Sequence, residues 1–244
     1  MHYFKNGLLI QLFLSGITCA AQDYFEISDS LVVERTLEYE DSFDSNIGNW
    51  IIEQMPGGNV WHSGEKMEIE DKAGCTIWFN KKLQAPLMIT YEALVIENEG
   101  PNDRVSDLNC FWLASESPET NDFFGSSQKR TGKFSDYDHL KLYYVGLGGH
   151  NNTKTRFRRY RGDGSKPLLP EHDLSASEYL IVSNSINKIK IIVYQGIVRY
   201  YRNEELIFDF FDNDAYSAGY FGLRTVNNHM KIDNFNVYAL KASD

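Results

Sequence analysis

Residues 187–240, NKIKIIVYQGIVRYYRNEELIFDFFDNDAYSAGYFGLRTVNNHMKIDNFNVYAL, decide the fold. They read as strands at 187–194, 196–202, 205–210, 218–226 and 229–240, rich in β-branched and aromatic residues and parted by tight turns. No long helical period interrupts them. The same pattern extends upstream, with strand-like runs at 36–40, 49–54, 66–71, 74–80, 87–97, 107–115, 139–147 and 153–160. Turn formers lie between them, in PGG (56–58), EGPND (99–103), GLGGHNN (146–152) and RGDGSKP (161–167). Many short strands with turn signals predict an all-β sandwich or barrel, not a parallel sheet crossed by helices.

The ends of the chain bound the domain. MHYFKNGLLIQLFLSGITCAAQ opens with Lys5, an apolar run from Leu8 to Leu14, and small residues up to Ala21, the layout of a secretory leader. Cleavage is expected near Ala21, and the protein to be secreted or periplasmic. Lipid anchoring through Cys19 is disfavoured by the Gly16-Ile17-Thr18 that precedes it. Residues 22–36 read as a weakly ordered lead-in and 37–244 as one domain. No later run is long and apolar enough to span a bilayer.

Net charge is −10, and loss of Lys5 with the leader makes the remainder more acidic. This excludes general nucleic-acid binding, which needs a basic surface. Cys75 and Cys110 lie in strand-like runs, either as small buried hydrophobes or as a pair. Two stretches, 115–138 and 161–186, lack strand periodicity. The first carries Phe123, Phe124, Phe134 and Tyr137, too aromatic for disorder, and is expected to form an ordered flap beside a cleft.

The closing GYFGLRT (219–225) and MKIDNFNVYAL (230–240) resemble the last strands of concanavalin A-like and laminin-G-like jelly rolls. More widely, EQMPGG, DKAGCTIWF, GPNDRVSDLNCFW, KRTGKF, GGHNNTKTRFRRY and GLRTVNNHMKIDNF resemble segments of an exported bacterial jelly-roll family of unassigned activity. Its members are associated with polysaccharide degradation. The resemblance implies an all-β, two-sheet antiparallel jelly roll that binds an oligo- or polysaccharide, and it transfers no catalytic residue.

Candidate chemistry concentrates in 140–163. Strand alternation puts Lys154, Arg156, Arg158 and Tyr160 on one face and Thr155, Phe157 and Arg159 on the other. The first face is either a solvated stripe or an anion cradle, since Arg grips carboxylate or sulfate bidentately. Tyr143 and Tyr144 fall on opposite faces, so one lines the cleft and the other packs. His150 follows two glycines and is either a structural hydrogen-bonder or a proton-transfer group; Asn151 adjoins it.

In PNDRVSDLNCFW, Asp107 and Asn109 oppose the core-like Leu108, Cys110 and Trp112, with Arg104 in the preceding turn. This is a sugar contact or an Asp–Arg turn clamp. Arg224 shares a face with Tyr220 and Gly222. Trp61 is a sugar platform or core.

Glycoside hydrolysis needs two carboxyl groups roughly 5–10 Å apart. The nearest alternating pattern, Glu68-Ile69-Glu70-Asp71, lacks an acid in register. β-Elimination from an acidic or oxidised glycan needs instead a charge stabiliser, a base and an acid. Arg156, Arg158 and Asn109 suit the first role, and His150 with Tyr143 or Tyr144 the proton transfers. Asp107, Arg104, Asn151, Tyr160, Arg224 and Trp61 are the expected substrate contacts. No cofactor is required. A divalent metal would draw on His150, His229, Asp107 and Glu53, although no ligand spacing marks them. The competing class is a non-catalytic glycan-binding module, because this fold hosts both.

Overall fold

The computed structural model describes residues 23–116, 122–125 and 129–243. The leader expected at 1–21, with Cys19, lies outside them. Two curled antiparallel sheets pack as a jelly-roll sandwich. The first has the order β1 (Asp23–Ser28), β2 (Leu31–Asp41), β17 (Asn228–Ala242), β8 (Leu87–Val95), β13 (Ile186–Tyr194), β14 (Ile197–Arg202), β15 (Glu205–Phe211). The pair β4 (Asn59–His62) and β5 (Met67–Asp71) joins it at β17. The second has the order β12 (Asp173–Leu174), β11 (Lys154–Arg161), β10 (Lys141–Gly148), β9 (Leu108–Ser115), β16 (Ala218–Thr225), β6 (Cys75–Phe79), β3 (Trp50–Gln54), with β7 (Leu83–Gln84) on β16. No helix among the described residues is long and apolar enough to cross a membrane.

Period-2 alternation builds the core between the sheets. Ile189, Ile191 and Val193 of β13 face Cys110 and Trp112 of β9 and Val145 of β10 in one apolar cluster. The second sheet carries apolar side chains on both faces. Its outer face carries a separate cluster around Trp78, Phe111, Tyr144 and Tyr160, covered by Phe123 and Tyr137.

One expectation fails. Residues 23–36 are not a loose lead-in: they form β1 and the start of β2, paired Tyr24↔Glu34 and Phe25↔Val33. Ile27 and Val33 are buried with Met88, Ile192, Tyr194 and Leu240 in a third cluster. Distant strands supply that burial, and local composition does not carry it. Cys75 and Cys110 are buried free thiols on different strands.

Candidate functional site

The register of the second sheet lines its outer face with two cross-strand rows. One runs Arg156–Gly146–Asn109–Arg224–Thr76–Glu53, each residue paired with the next across the ladder. The other runs Arg158–Tyr144–Phe111–Gly222–Trp78–Ile51. A polar row therefore lies beside an aromatic one, because residues two apart on a strand share a face.

Residues 122–125 and 129–138 cover the β16–β6–β3 half of both rows. There Glu53 is buried and accepts hydrogen bonds from Arg130 Nε (2.8 Å), Trp78 Nε1 (3.0 Å) and Tyr137 Oη (2.8 Å). Arg224 is buried as well, donating to the Gly132 carbonyl and to Thr76 Oγ1. Gly132 lies flat on the strands: a Cβ there would sit 2.6 Å from the Gly74 carbonyl oxygen.

The β9–β10–β11 half holds a cavity of about 290 Å³, near the lower end of the range for ligand sites. Asp107, Phe134, Tyr144, Gly146, Gly149, His150, Lys154, Arg156, Arg158, Tyr160 and Lys166 line it. Four cations thus meet a single lining carboxylate. Asp173 takes Arg156 through Nε (2.9 Å) and Nη2 (3.3 Å), with Lys154 at 3.6 Å, and that pairing by Arg156 pulls the Asp173 carboxyl below its ordinary range. Lys166 pairs with Asp138. Arg158 has no carboxylate partner among the described residues; its Nη1 donates to the Lys166 carbonyl. Burial pushes the Tyr144 and Tyr160 hydroxyls above their ordinary pKa, so both stay protonated as donors. The Tyr160 hydroxyl and Asn109 Oδ1 are buried with no hydrogen-bond partner, an uncommon state for buried polar groups.

His150 reaches the cavity from an unusual turn. His150, Asn151 and Asn152 all have positive φ, at 54°, 57° and 57°, forming a left-handed turn after Gly148. Asn and His tolerate this region better than most side chains. Gly148 is required, since a Cβ would meet Ile181 Cδ1 at 2.4 Å. Asn152 locks the turn by exchanging hydrogen bonds with the Ile181 backbone, both 2.9 Å. Asn151 Oδ1 accepts from Arg104 Nη1 at 2.6 Å. Arg156 Nη1 donates to His150 Nε2 at 2.6 Å, because a guanidinium has no lone pair to offer.

The structure therefore gathers Asp107, Tyr144, His150, Arg156, Arg158 and Tyr160 around one cavity. Asn109 lies in the same row beside Gly146. Arg104 and Asn151 stand behind the wall: Arg104 Nη2 donates to Asp107 Oδ2 at 2.5 Å, so it holds Asp107 and the turn. Tyr143 is displaced from the catalytic role considered for it. It packs between the sheets, and its hydroxyl donates to Asp212 at 2.6 Å. Trp61 sits on β4 in the other sheet, away from the cavity. Arg224 is on the right face but beneath the covering segment.

The four residues considered for a metal do not converge. Glu53 is plugged by Arg130, and His229 bridges Asp103 and Glu68 at 2.8 Å each. The Glu68–Asp71 stretch is β5 of the first sheet, so it gives the cavity no carboxylate pair. Lys166 was not singled out in the sequence; it reaches the cavity from the second non-periodic stretch, whose length was its signal. Phe134 comes from the aromatic stretch expected to lie beside a cleft.

Among solved structures, a Bacillus subtilis protein of unknown function with a galectin-like fold is similar at a TM-score of 0.68 and 17% identity, covering 85% of this chain and 97% of that one. An endo-β-1,3-glucanase from Pyrococcus furiosus is similar at 0.59 and 11%, covering 90% and 99%. A carbohydrate-binding module, CBM66, from Bacillus subtilis is similar at 0.50 and 12%, covering 80% and 96%. Identities this low establish the fold alone. No curated protein sequence matches the chain significantly. A family match spans residues 69–235, well over half of the chain and every residue lining the cavity. The chain belongs to the family described as Domain of unknown function (DUF6250).

Proposed function

We propose that this is an exported carbohydrate-active protein that binds an acidic saccharide in the β9–β10–β11 cavity and cleaves it by β-elimination. The observation that carries the reading is Arg158. It is a cation without a carboxylate partner among the described residues, beside Tyr144 and Tyr160, in a cavity where cations outnumber acids. A uronate carboxylate fits its remaining N–H groups. The leader-like first 21 residues support export.

The chemistry assigns one role to each group. Arg158, with Arg156, holds the substrate carboxylate and the charge that builds on it when the adjacent C–H is broken. His150 takes that proton on Nε2 once substrate draws the Arg156 N–H away. The C–H electron pair becomes the new double bond and the bond to the leaving oxygen breaks. A protonated tyrosine hydroxyl, Tyr144 or Tyr160, delivers a proton to that oxygen. A second reading, a binding module without turnover, is favoured by Arg156 being clamped by both Asp173 and His150.

Incubation of purified protein with acidic and neutral polysaccharides tests both. Growth of the ultraviolet absorbance of unsaturated uronate supports elimination. New reducing ends without that absorbance would overturn elimination in favour of hydrolysis. Retention on an acidic glycan with neither signal leaves the binding module.

A further inference from the structure

Resting on the acidic-saccharide reading, we infer that the site takes the end of a glycan chain and excludes its interior, because half of the groove on this sheet is filled by the protein's own residues 122–125 and 129–138.

An open groove across the outer face would follow the two cross-strand rows from β11 to β3. Here the rows run under cover midway. Beyond Asn109 the polar row continues through Arg224, Thr76 and Glu53, all buried. Beyond Tyr144 the aromatic row continues through Phe111 and Trp78, both fully buried. The cover is anchored by contacts that are hard to undo. Arg130 and Glu53 form a buried ion pair at 2.8 Å, with side chains 5% and 1% exposed. Breaking such a pair is strongly destabilising. Arg130 also donates to Glu116 (2.9 Å) and to the Phe123 carbonyl (3.1 Å). The Gly132–Gly74 backbone approach leaves no room for a sugar between cover and strands.

The cavity is walled on a second side. Phe134 stands over Phe111 and Tyr144, at ring-centroid distances of 6.4 and 5.6 Å. Lys166 from the 161–169 loop pairs with Asp138, which joins the two loops across Tyr160. What remains is the cavity lined by His150, Lys154, Arg156 and Arg158, bounded on these two sides by the cover and by Phe134 with Lys166. A chain passing through would have to cross the Arg130–Glu53 plug; a chain entering by one end does not.

The test uses the protein as it stands. It is titrated with size-defined oligomers of polygalacturonate, alginate and chondroitin sulfate, from disaccharides upward, and the products are resolved by length. For a chain-end site, affinity should stay within about twofold as the oligomer lengthens, since added units make no contacts. Products should be short units from the first turnover, with polymer viscosity falling slowly. Affinity rising by about tenfold or more with length, or an early ladder of mixed lengths, would overturn chain-end recognition and leave the acidic-saccharide reading intact. If no acidic oligomer is bound or cleaved, that reading fails and takes this inference with it.

Discussion

Arg156 Nη1 lies 2.6 Å from His150 Nε2, while the Nε of the same guanidinium lies 2.9 Å from Asp173 Oδ1. One side chain thus ties the left-handed turn after β10 to the edge strand β12. Both His150 and Arg156 line the cavity, so the bridge fixes two of its walls to each other.

Arg158→Ala removes the cation that has no carboxylate partner among the described residues. A charged hydrogen-bond pair contributes about 1.5–3 kcal/mol, so affinity for an acidic oligosaccharide should fall by roughly 10- to 100-fold. The melting temperature should move little, because among the described residues the Arg158 side chain hydrogen-bonds to the Lys166 carbonyl and to no carboxylate. Calorimetric titration beside a thermal melt checks both. Unchanged affinity would remove Arg158 from the site.

Asn152→Ala deletes both hydrogen bonds to the Ile181 backbone and places Ala at a φ of 57°. The left-handed region costs a non-glycine residue about 1–2 kcal/mol, so a loss of about that size or more is expected by urea denaturation. Asn152 acts through His150. Turnover should therefore fall more than KM rises, and Asn152→Gly should restore stability better than Ala does, since Gly accepts the backbone.

Glu53→Ala leaves the buried Arg130 with Glu116 as its remaining carboxylate and deprives Trp78 and Tyr137 of their Glu53 acceptor. Removing one partner of a buried pair costs about 3–5 kcal/mol. Loss of the cover should also expose Trp78, readable as a red shift of tryptophan emission. A loss under about 1 kcal/mol would show that the plug does not hold the segment.

Asp103 and Glu68 predict the acid limit of stability. Burial opposes ionisation of each. Hydrogen bonds outweigh it and both carboxyls titrate below their ordinary values, through His229 and backbone N–H groups at Asp103, and through Ser63, His229 and Lys231 at Glu68. A depressed folded-state pKa stabilises the protein above the unfolded pKa. That contribution is lost as pH falls through the lower folded value. Melting temperature should therefore drop on acidification from about pH 5 downward, and less steeply in Asp103→Asn. Parallel slopes in the two proteins would remove Asp103 from the account.

Much of the site was legible because strand alternation is a local rule. It put Lys154, Arg156, Arg158 and Tyr160 on one face, set Tyr143 against Tyr144, and separated Asn109 from Cys110 without reference to any other strand. An all-β sandwich or barrel followed from the same period and its turns, and the resemblance of the closing strands implied the jelly roll. Pairing order was not legible, because contacts between residues far apart in the chain decide it. Only the folded sheet shows that Arg156, Asn109 and Arg224 share one row, or that Trp61 and Glu68 belong to the other sheet. Only packing shows that Tyr143 turns inward while Arg130, Phe123 and Phe134 return over the outer face and bury half of it. Sequence determined which side chains travel together along a strand. Tertiary structure decided which of them meet across strands and which stay open to a ligand, because alternation repeats every two residues whereas burial depends on what distant segments lay on top.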